Sequence, residues 1–258
     1  MDLNELIKLH KRQRENTRIL DPEFQIQRHP LFVRFVGPTS ESSSNGVEYT
    51  NLDFLKPDAI QDFVRSQVIF FKNLRKSFRW KLFSYDYPPH LADLLLQEGF
   101  QLIRDEQVMV KESSQAIEGK DIPGIEIREL EDDFAALALV QKEVWSYDPT
   151  SLIESLAREK QIDPQSLRLF AAFDGNEPVS CAWIRMEASF GVLLGGSVRE
   201  AWRGRGIYQQ LVNRRMQIAQ EKGLRYVSSD AGSMSAPILK NLGFEVLADI
   251  KRFEYTLA

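Results

Sequence analysis

Cysteine and histidine are scarce in this 258-residue chain, which has one cysteine and three histidines. The single cysteine, Cys181, excludes an internal disulfide and fits a reducing compartment. It falls inside the apolar run V-S-C-A-W-I, and no histidine follows His90, so the second half of the chain offers the thiol no imidazole base. We therefore predict that Cys181 is buried and is not a nucleophile.

Long apolar stretches and an excess of positive charge are also absent. No apolar run approaches the roughly 20 residues that span a bilayer. The amphipathic N-terminus, M-D-L-N-E-L-I-K-L-H, carries acids, which argues against a signal or transit peptide. The formal net charge of −4 argues against a general nucleic-acid or anionic-membrane surface. We expect a cytoplasmic protein that binds no nucleic acid, no membrane and no metal.

The stretch 196–209, G-S-V-R-E-A-W-R-G-R-G-I-Y-Q, is the most informative part of the chain. An apolar run at 192–194 leads into a loop, and the loop opens into a segment of helical period at 207–222. The loop holds two arginines and two glycines: Arg203, Gly204, Arg205 and Gly206. Glycines let the backbone approach an anion closely, and the first N–H groups of a helix have no internal partners. This order of strand, loop and helix predicts a binding site for a phosphate chain.

Positive charge is concentrated at this loop, which suits a small polyanion. We expect at least one of Arg199, Arg203 and Arg205 to contact phosphate through charge-assisted hydrogen bonds. No G-K-S/T sequence follows the loop, which excludes a P-loop nucleotide site.

Periodicity and turn residues divide the second half into helices and strands. The alternating sequence I-E-I-R-E-L at 125–130 predicts a strand. Further strands are predicted at 167–173, 178–187, 190–198 and 225–229, with a last one ending at Leu257. Helices are predicted from Asp132 or Asp133 to about Trp145, from Pro149 to about Lys160, at 207–222 and at 236–242. The turn residues Asp174, Gly175 and Asn176 predict a hairpin between two of the strands. This layout predicts a mixed α/β (α+β) fold with a mostly antiparallel sheet, flanking helices and a crossover helix.

The first half repeats part of this order. A helix is predicted at 57–76, a strand at F-R-W-K-L-F-S-Y, a short helix from Pro88 through Leu96, and a strand around 108–110. Each half thus runs helix, strand, short helix, Gly-Phe, strand. We expect Gly99 and Gly243 to end their short helices in the left-handed conformation, with the following phenylalanine packing back onto the helix.

A polar stretch at 112–124, ending in Pro and Gly, separates the two halves and predicts domains at 1–120 and 121–258. The N-terminal copy has T-N-L-D-F-L-K-P where the phosphate loop should stand. We therefore expect the first domain to be a scaffold or a wall of an acceptor pocket. A serine-rich stretch at 38–46 is predicted to be a mobile loop within it.

The second half, from about Ile125, resembles the GCN5-related N-acetyltransferase (GNAT) superfamily. Arg203, Gly206 and Tyr208 stand at the positions of the family hallmark R/Q-x-x-G-x-G/A, after a lead-in S-V-R-E-A-W. The second family motif, a short helix ending in Gly-Phe, matches S-A-P-I-L-K-N-L-G-F at 235–244. The first half, with F-R-W-K-L, Y-D-Y-P-P and G-F, is similar to the degenerate GNAT-like lobe of two-lobed relatives.

The resemblance implies acetyl-coenzyme A as cosubstrate. Its pyrophosphate would lie on the amides of residues 204–209, its pantetheine arm would pair with a splayed strand, and its thioester carbonyl would accept an N–H near Val198. A glycine pair in that strand, Gly195 and Gly196, supports a bulge or a close backbone approach. The implied contact residues are Gly196, Ser197, Val198, Arg203, Gly204, Arg205, Gly206, Ile207, Tyr208, Gln209 and Ser235.

Three positions depart from the family pattern. Tyr208 replaces the last small residue of the hallmark, and we expect its side chain to point out of the first helical turn. Leu239 stands where relatives often place a tyrosine that protonates the leaving thiolate, and Gly232 stands where a cofactor-contacting asparagine is common. Ser235 would either cap its helix or contact the pantetheine.

The chemistry of amine acetylation then needs a base and an acid. Only about one alkylamine in a thousand is neutral at pH 7. With no histidine in the second half of the chain, the base must be a carboxylate, usually acting through water. Asp230 is the first candidate, Glu143 and Asp148 come next, and Glu187 is weaker. Tyr208 is a candidate for the missing acid.

The predicted function is an N-acetyltransferase that moves acetyl from acetyl-CoA to a primary amine by direct attack in a ternary complex. The alternative is a CoA-binding regulatory or structural protein that has lost turnover. The acceptor, a small-molecule amine or a peptide amine, is left open, as is the choice between monomer and homodimer.

Overall fold

The structure, a computed structural model, describes residues 2–115 and 121–257. The chain forms two compact units. The first contains the residues up to Val108, Ala231–Ser233 and the residues from Val246 onward, and the second contains Met109–Asp230 and Met234–Glu245. The predicted boundary between residues 120 and 121 falls at residues outside the described ranges, so it remains a prediction.

The first unit is built on a mixed sheet with helices. Its helices are α1 (Leu3–Glu15), α2 (Pro57–Asn73) and α3 (Leu91–Gln97). Its strands are β1 (Gln25–His29), β2 (Phe32–Val36), β3 (Asn45–Thr50), β4 (Phe78–Phe83), most of β5 (Gln101–Glu112) and most of β11 (Glu245–Tyr255). The first four strands lie in the order β1-β2-β3-β4, and β11 pairs antiparallel with β4. Strands β3 and β4 run parallel to each other.

Helix α2 packs on this sheet through an apolar face, and it begins at Pro57 as predicted. Pro57 stands in its first turn, where the missing N–H costs nothing. Phe71 stacks on Phe78 of β4 with ring centroids 4.1 Å apart, and Phe63 meets Trp80 edge-on. Aromatic side chains therefore make up a large part of the core of this unit.

The predicted loop at 38–46 is shorter than expected, and its mobility stays a prediction. A short 3-10 helix (Ser42–Ser44) is followed directly by β3, which begins at Asn45. The buried Asn45 amide donates to the carbonyls of Thr39 and Glu41, and the Lys76 ammonium donates to the carbonyls of residues 37–39. These side chains satisfy the loop backbone, which a count of serines could not reveal.

The second unit holds the motifs of the second half. Its helices are α4 (Ala135–Trp145), α5 (Thr150–Ile162), α6 (Ile207–Glu221) and α7 (Ala236–Asn241). Its strands are β6 (Ile125–Leu130), β7 (Leu167–Asp174), β8 (Glu177–Glu187), β9 (Phe190–Val198) and β10 (Tyr226–Ala231), lying in the order β10-β9-β8-β7-β6. All neighbouring pairs from β6 to β9 are antiparallel, and β10 runs parallel to β9.

These elements confirm the predicted fold class, a mixed and mostly antiparallel sheet flanked by helices. The carboxylate of Asp133 accepts the N–H of Ala135 at the start of α4. Asp148 does the same for Thr150 of α5, so Pro149 precedes the helix instead of opening it. The predicted hairpin joins β7 to β8 across Gly175, whose φ is +60°.

Both Gly-Phe pairs end their helices as predicted. Gly99 and Gly243 have φ of +93° and +79°, values that favour glycine. The N–H of Phe100 bonds back to Leu95, and that of Phe244 to Leu239. Both phenylalanines are 3% exposed, which confirms that they pack back onto the protein. No helix within the described ranges is long and apolar enough to cross a membrane.

Candidate functional site

The predicted phosphate loop lies exposed between β9 and α6. A single 3-10 turn (Glu200–Trp202) follows β9, and the four residues after it are all exposed. Gly206 then takes φ +86° and precedes the first helical residue, Ile207. The left-handed conformation at Gly206 turns the chain into the helix without a Cβ over its open end.

The first N–H groups of α6 are available to a ligand. In the part of the chain that the structure describes, the backbone N–H groups of Gly206, Ile207 and Tyr208 have no hydrogen-bond acceptor. The helical ladder begins only where the N–H of Gln210 bonds to the carbonyl of Gly206. Unpaired amides and the positive end of the helix dipole together form an anion-binding position.

The three arginines of the region differ in what they contact. Arg203 donates to the carbonyl of Val198 and Arg205 to that of Ala201, each through one nitrogen, and both side chains are otherwise exposed. Arg199 lies 2.7 Å from a carboxylate oxygen of Glu143 and 2.6 Å from one of Glu177. Arg199 is therefore neutralised by two acids, and Arg203 and Arg205 retain donors for phosphate.

The glycine pair of β9 forms the predicted bulge. Cys181 of β8 pairs with Ser197 and Trp183 pairs with Leu194. Ala182 alone therefore faces both Gly195 and Gly196. Gly195 has φ +61°, and a Cβ there would lie 1.7 Å from the Trp183 ring. The close approach of an indole and the left-handed backbone both require glycine at this position.

Strands β9 and β10 pair only through their first three residues and then diverge. Their parallel register ends at Ser228 and Val192, although β9 continues to Val198 and β10 to Ala231. The N–H of Arg199 bonds to Val179 of β8. Since strand amides alternate between the two edges, the N–H of Val198 is directed to the edge that β10 has left. An extended ligand entering this opening would meet that amide.

Ser197 belongs to a buried polar cluster. Its hydroxyl accepts from the Gln141 amide at 3.0 Å and from the Trp145 indole at 2.8 Å. Gln141 also donates to the carbonyl of Gly195 and contacts the sulfur of Cys181. The cluster thus ties helix α4 to the bulge. Sequence reasoning missed Gln141, although a glutamine inside the apolar stripe of α4 is a usable signal for a buried polar contact.

Cys181 is buried, as predicted. Its thiol is fully enclosed, and desolvation raises its pKa to about 12, with the Gln141 hydrogen bond opposing the shift. Because the thiolate is the nucleophile, a thiol that stays protonated at neutral pH fits a structural role.

The Tyr208 side chain leaves the first turn of α6 toward β9. A Cβ on Gly196 would be 2.7 Å from Tyr208 Cε2, which shows that the tyrosine ring lies over this glycine. Burial raises the pKa of the phenol, and the nearby Arg215 charge partly opposes this shift. The inward ring follows from position, since Tyr208 lies two turns before the buried Arg215 on α6 and shares its sheet-facing side.

The candidate bases occupy different surroundings. Asp230 is half-buried on β10, two residues beyond the last β10 residue paired with β9. Glu143 is ion-paired with Arg199. Asp148 is bound to the N–H and hydroxyl of Thr150, which lower its pKa. Glu187 ends β8 opposite Phe190, away from the bulge. Asp230 is thus the candidate base on the strand that diverges from β9.

Helix α7 carries the second motif at 235–244, and Leu239 and Gly232 are the residues there and just before it that depart from the family pattern. Ser235 precedes α7, and its side chain makes no capping hydrogen bond. Leu239 is completely buried, so the position where relatives carry a tyrosine is filled by packed hydrocarbon. Gly232 has open space around its α-carbon.

The open N-terminus of α6 and the bulged, diverging β9 both lie in a segment of the chain that matches a known family. Residues 127–244, which are 118 of the 258 residues, match the model of the acetyltransferase (GNAT) family. The match to this family supports acetyl transfer as the general type of reaction. No curated protein sequence matches the chain.

Solved structures of similar fold extend the likeness to both halves. A GCN5-related N-acetyltransferase from Kribbella flavida is 12% identical, with a TM-score of 0.75 over 96% of each chain. A GCN5-related N-acetyltransferase from Sphaerobacter thermophilus is 19% identical, with a TM-score of 0.64 over 89% of this chain and 81% of that one. A tandem GNAT protein from the clavulanic acid biosynthesis pathway is 10% identical, with a TM-score of 0.64 over 93% and 86%. At these identities the likeness is one of fold, and it confirms that the N-terminal half resembles a GNAT fold.

Proposed function

We propose that this protein is an N-acetyltransferase that transfers acetyl from acetyl-CoA to a primary amine by direct attack in a ternary complex. One observation carries the proposal: unpaired amides at the start of α6 lie next to a β9 segment that β10 has left. The first feature suits a diphosphate and the second suits an extended pantetheine arm.

The diphosphate would bind to the amides at 204–209, with Arg203 and Arg205 as further donors. Both arginines reach solvent with spare N–H groups, and two positive charges would offset part of the ligand charge. Gly196, Ser197 and Val198 would line the pantetheine arm. Ser235 would contact it from the start of α7, where it immediately precedes the first helical residue.

The Val198 amide would stabilise the oxyanion of the tetrahedral intermediate. It is directed to the open edge of β9, and the polar cluster around Ser197 fixes the neighbouring backbone. A donor that is already oriented before reaction costs no reorganisation in the transition state.

Asp230 would act as the base that removes the amine proton, directly or through water. We favour it over Glu143 because Asp230 lies on β10 beyond the residues that pair with β9. Tyr208 would then donate a proton to the departing thiolate. Its phenol lies over Gly196 and stays protonated at neutral pH because burial raises its pKa.

A second candidate is a CoA-binding protein without turnover. The observation that favours it is Leu239, whose buried side chain leaves no proton donor at the position where relatives carry a tyrosine. Tyr208 separates the two candidates, because it offers a replacement acid at a different position.

The test is thiol release from acetyl-CoA, measured with a panel of primary amines and polyamines, together with calorimetric binding of acetyl-CoA. Binding with amine-dependent thiol release supports the enzyme. Binding without release on any acceptor supports the second candidate, and no binding removes both.

A further inference from the structure

Arg215 is a buried cation that the motifs do not account for. It lies in the middle of α6 and is 1% exposed. No carboxylate within the described ranges forms an ion pair with it. An unpaired charge is costly to bury, so a side chain that only filled space here would be apolar.

The guanidinium binds backbone carbonyls instead. Its Nη1 donates to the carbonyls of Trp183 and Leu194, at 3.1 and 3.2 Å, and its Nε donates to Leu211 of its own helix. Trp183 and Leu194 face each other across β8 and β9 at the last register position before the bulge. One side chain therefore satisfies an acceptor on each strand where the ladder is interrupted.

These contacts lie beside the proposed acyl site. Leu194 immediately precedes the Gly195–Gly196 pair, and Tyr208, whose ring covers Gly196, lies two helical turns before Arg215. Arg215, the bulge and Tyr208 are therefore contiguous. The planar fork of an arginine can hold two carbonyls in fixed directions, whereas a shorter or apolar side chain cannot.

We propose that Arg215 is a positioning residue: its guanidinium replaces the donors that the bulge removes and thereby holds β9 and Tyr208 where acyl transfer needs them. The inference rests on the proposed function for its link to catalysis. It predicts an effect on turnover that exceeds the effect on coenzyme binding, because the amides at the start of α6 are not held by Arg215.

The experiment compares three full-length variants with the wild type. Arg215→Met keeps similar volume without hydrogen bonds, and Arg215→Lys keeps the charge and can still donate. Arg214→Met is the matched control, since it removes a charge from the neighbouring position, which is only half-buried. For each protein one measures thermal unfolding, the calorimetric Kd for acetyl-CoA, kcat and KM with the best amine, and the amide chemical shifts of Gly195 and Gly196.

We expect Arg215→Met to lower kcat by about tenfold to 100-fold while the Kd for acetyl-CoA changes less than about threefold. A loss of this size is expected when the groups that hold the reacting atoms shift by up to about 1 Å. Arg215→Lys should recover part of kcat, and only the Arg215 variants should shift the two glycine amides. If Arg215→Met turns over like Arg214→Met, or if Arg215→Lys is no better than Arg215→Met, the proposal is wrong.

Two controls keep the outcomes separate. If Arg215→Met does not fold, Arg215→Gln replaces it, because its amide can donate to one carbonyl and should give an intermediate kcat. A Gln variant equal to the wild type would also overturn the proposal. If the wild type itself shows no binding or turnover, the proposed function fails, whereas the glycine shifts still test the structural part of the inference.

Discussion

Replacing Gly206 by glutamate places a negative charge on the expected path of the diphosphate. A Cβ at Gly206 would lie 3.6 Å from Ile122 Cδ1, an ordinary contact, so the side chain fits. A carboxylate about 4 Å from a phosphate opposes each phosphate charge by about 1 kcal/mol even at the dielectric of water. Two such charges give at least about 2 kcal/mol, which corresponds to about 30-fold weaker binding.

The matched control is Gly223→Glu. Gly223 follows the same helix at its other end, has φ +71° and has open space around its α-carbon. Both variants therefore carry the same left-handed strain and the same added charge, and thermal unfolding should show similar losses of stability. Only Gly206→Glu should weaken acetyl-CoA binding in calorimetry, and added salt should reduce the difference. Equal Kd values for the two variants would refute the phosphate site.

Three further predictions concern the centre of the second unit. Asp230→Asn should lower kcat at pH 7 by about 100-fold or more with little change in the Kd for acetyl-CoA, as expected for a general base. Unchanged turnover in a steady-state assay would show that another residue is the base. Gly195→Ala should destabilise the protein by about 2–4 kcal/mol in denaturant unfolding, because the new methyl would overlap the Trp183 ring at a positive φ; a loss below about 1 kcal/mol would contradict the bulge geometry. Cys181, whose pKa is raised to about 12, should resist alkylation at pH 8.5 in the native state and react when guanidinium unfolds the protein. The thiol of the unfolded chain ionises near its ordinary pKa of 9.0. Its contribution to the free energy of unfolding should therefore be complete below pH 9.0 and be lost as the pH rises toward 12.

The fold could be predicted well where periodicity and turn chemistry agree. Helices α4 and α6 and the hairpin at Gly175 follow the sequence closely, and both Gly-Phe helix ends are confirmed. Sequence patterns do not predict the first three strands and α1 as elements. The three strands are only five or six residues long, and β1 carries a polar residue at four of its five positions. The hydrogen bonding of the loop at 38–46 depends on Asn45 and on Lys76, which lies 37 residues or more beyond the carbonyls that it binds, so local patterns do not reveal it.

The candidate site was predictable in its backbone and less so in its side chains. Glycine spacing indicates the open end of α6 and the bulge, because only glycine suits those conformations. The inward turn of Tyr208, the pairing of Glu143 with Arg199 and the contacts of Arg215 depend on which side chains meet across elements. Tertiary packing determines these contacts, and a single sequence does not predict which side chains will pack together.

A crystal structure of the protein with coenzyme A bound would show whether the start of α6 holds the diphosphate. We predict the diphosphate on the amides of Gly206, Ile207 and Tyr208, with the pantetheine arm beside β9 and its thiol near Val198. A ligand bound elsewhere, or a structure in which those three amides are engaged by the protein itself, would contradict the account.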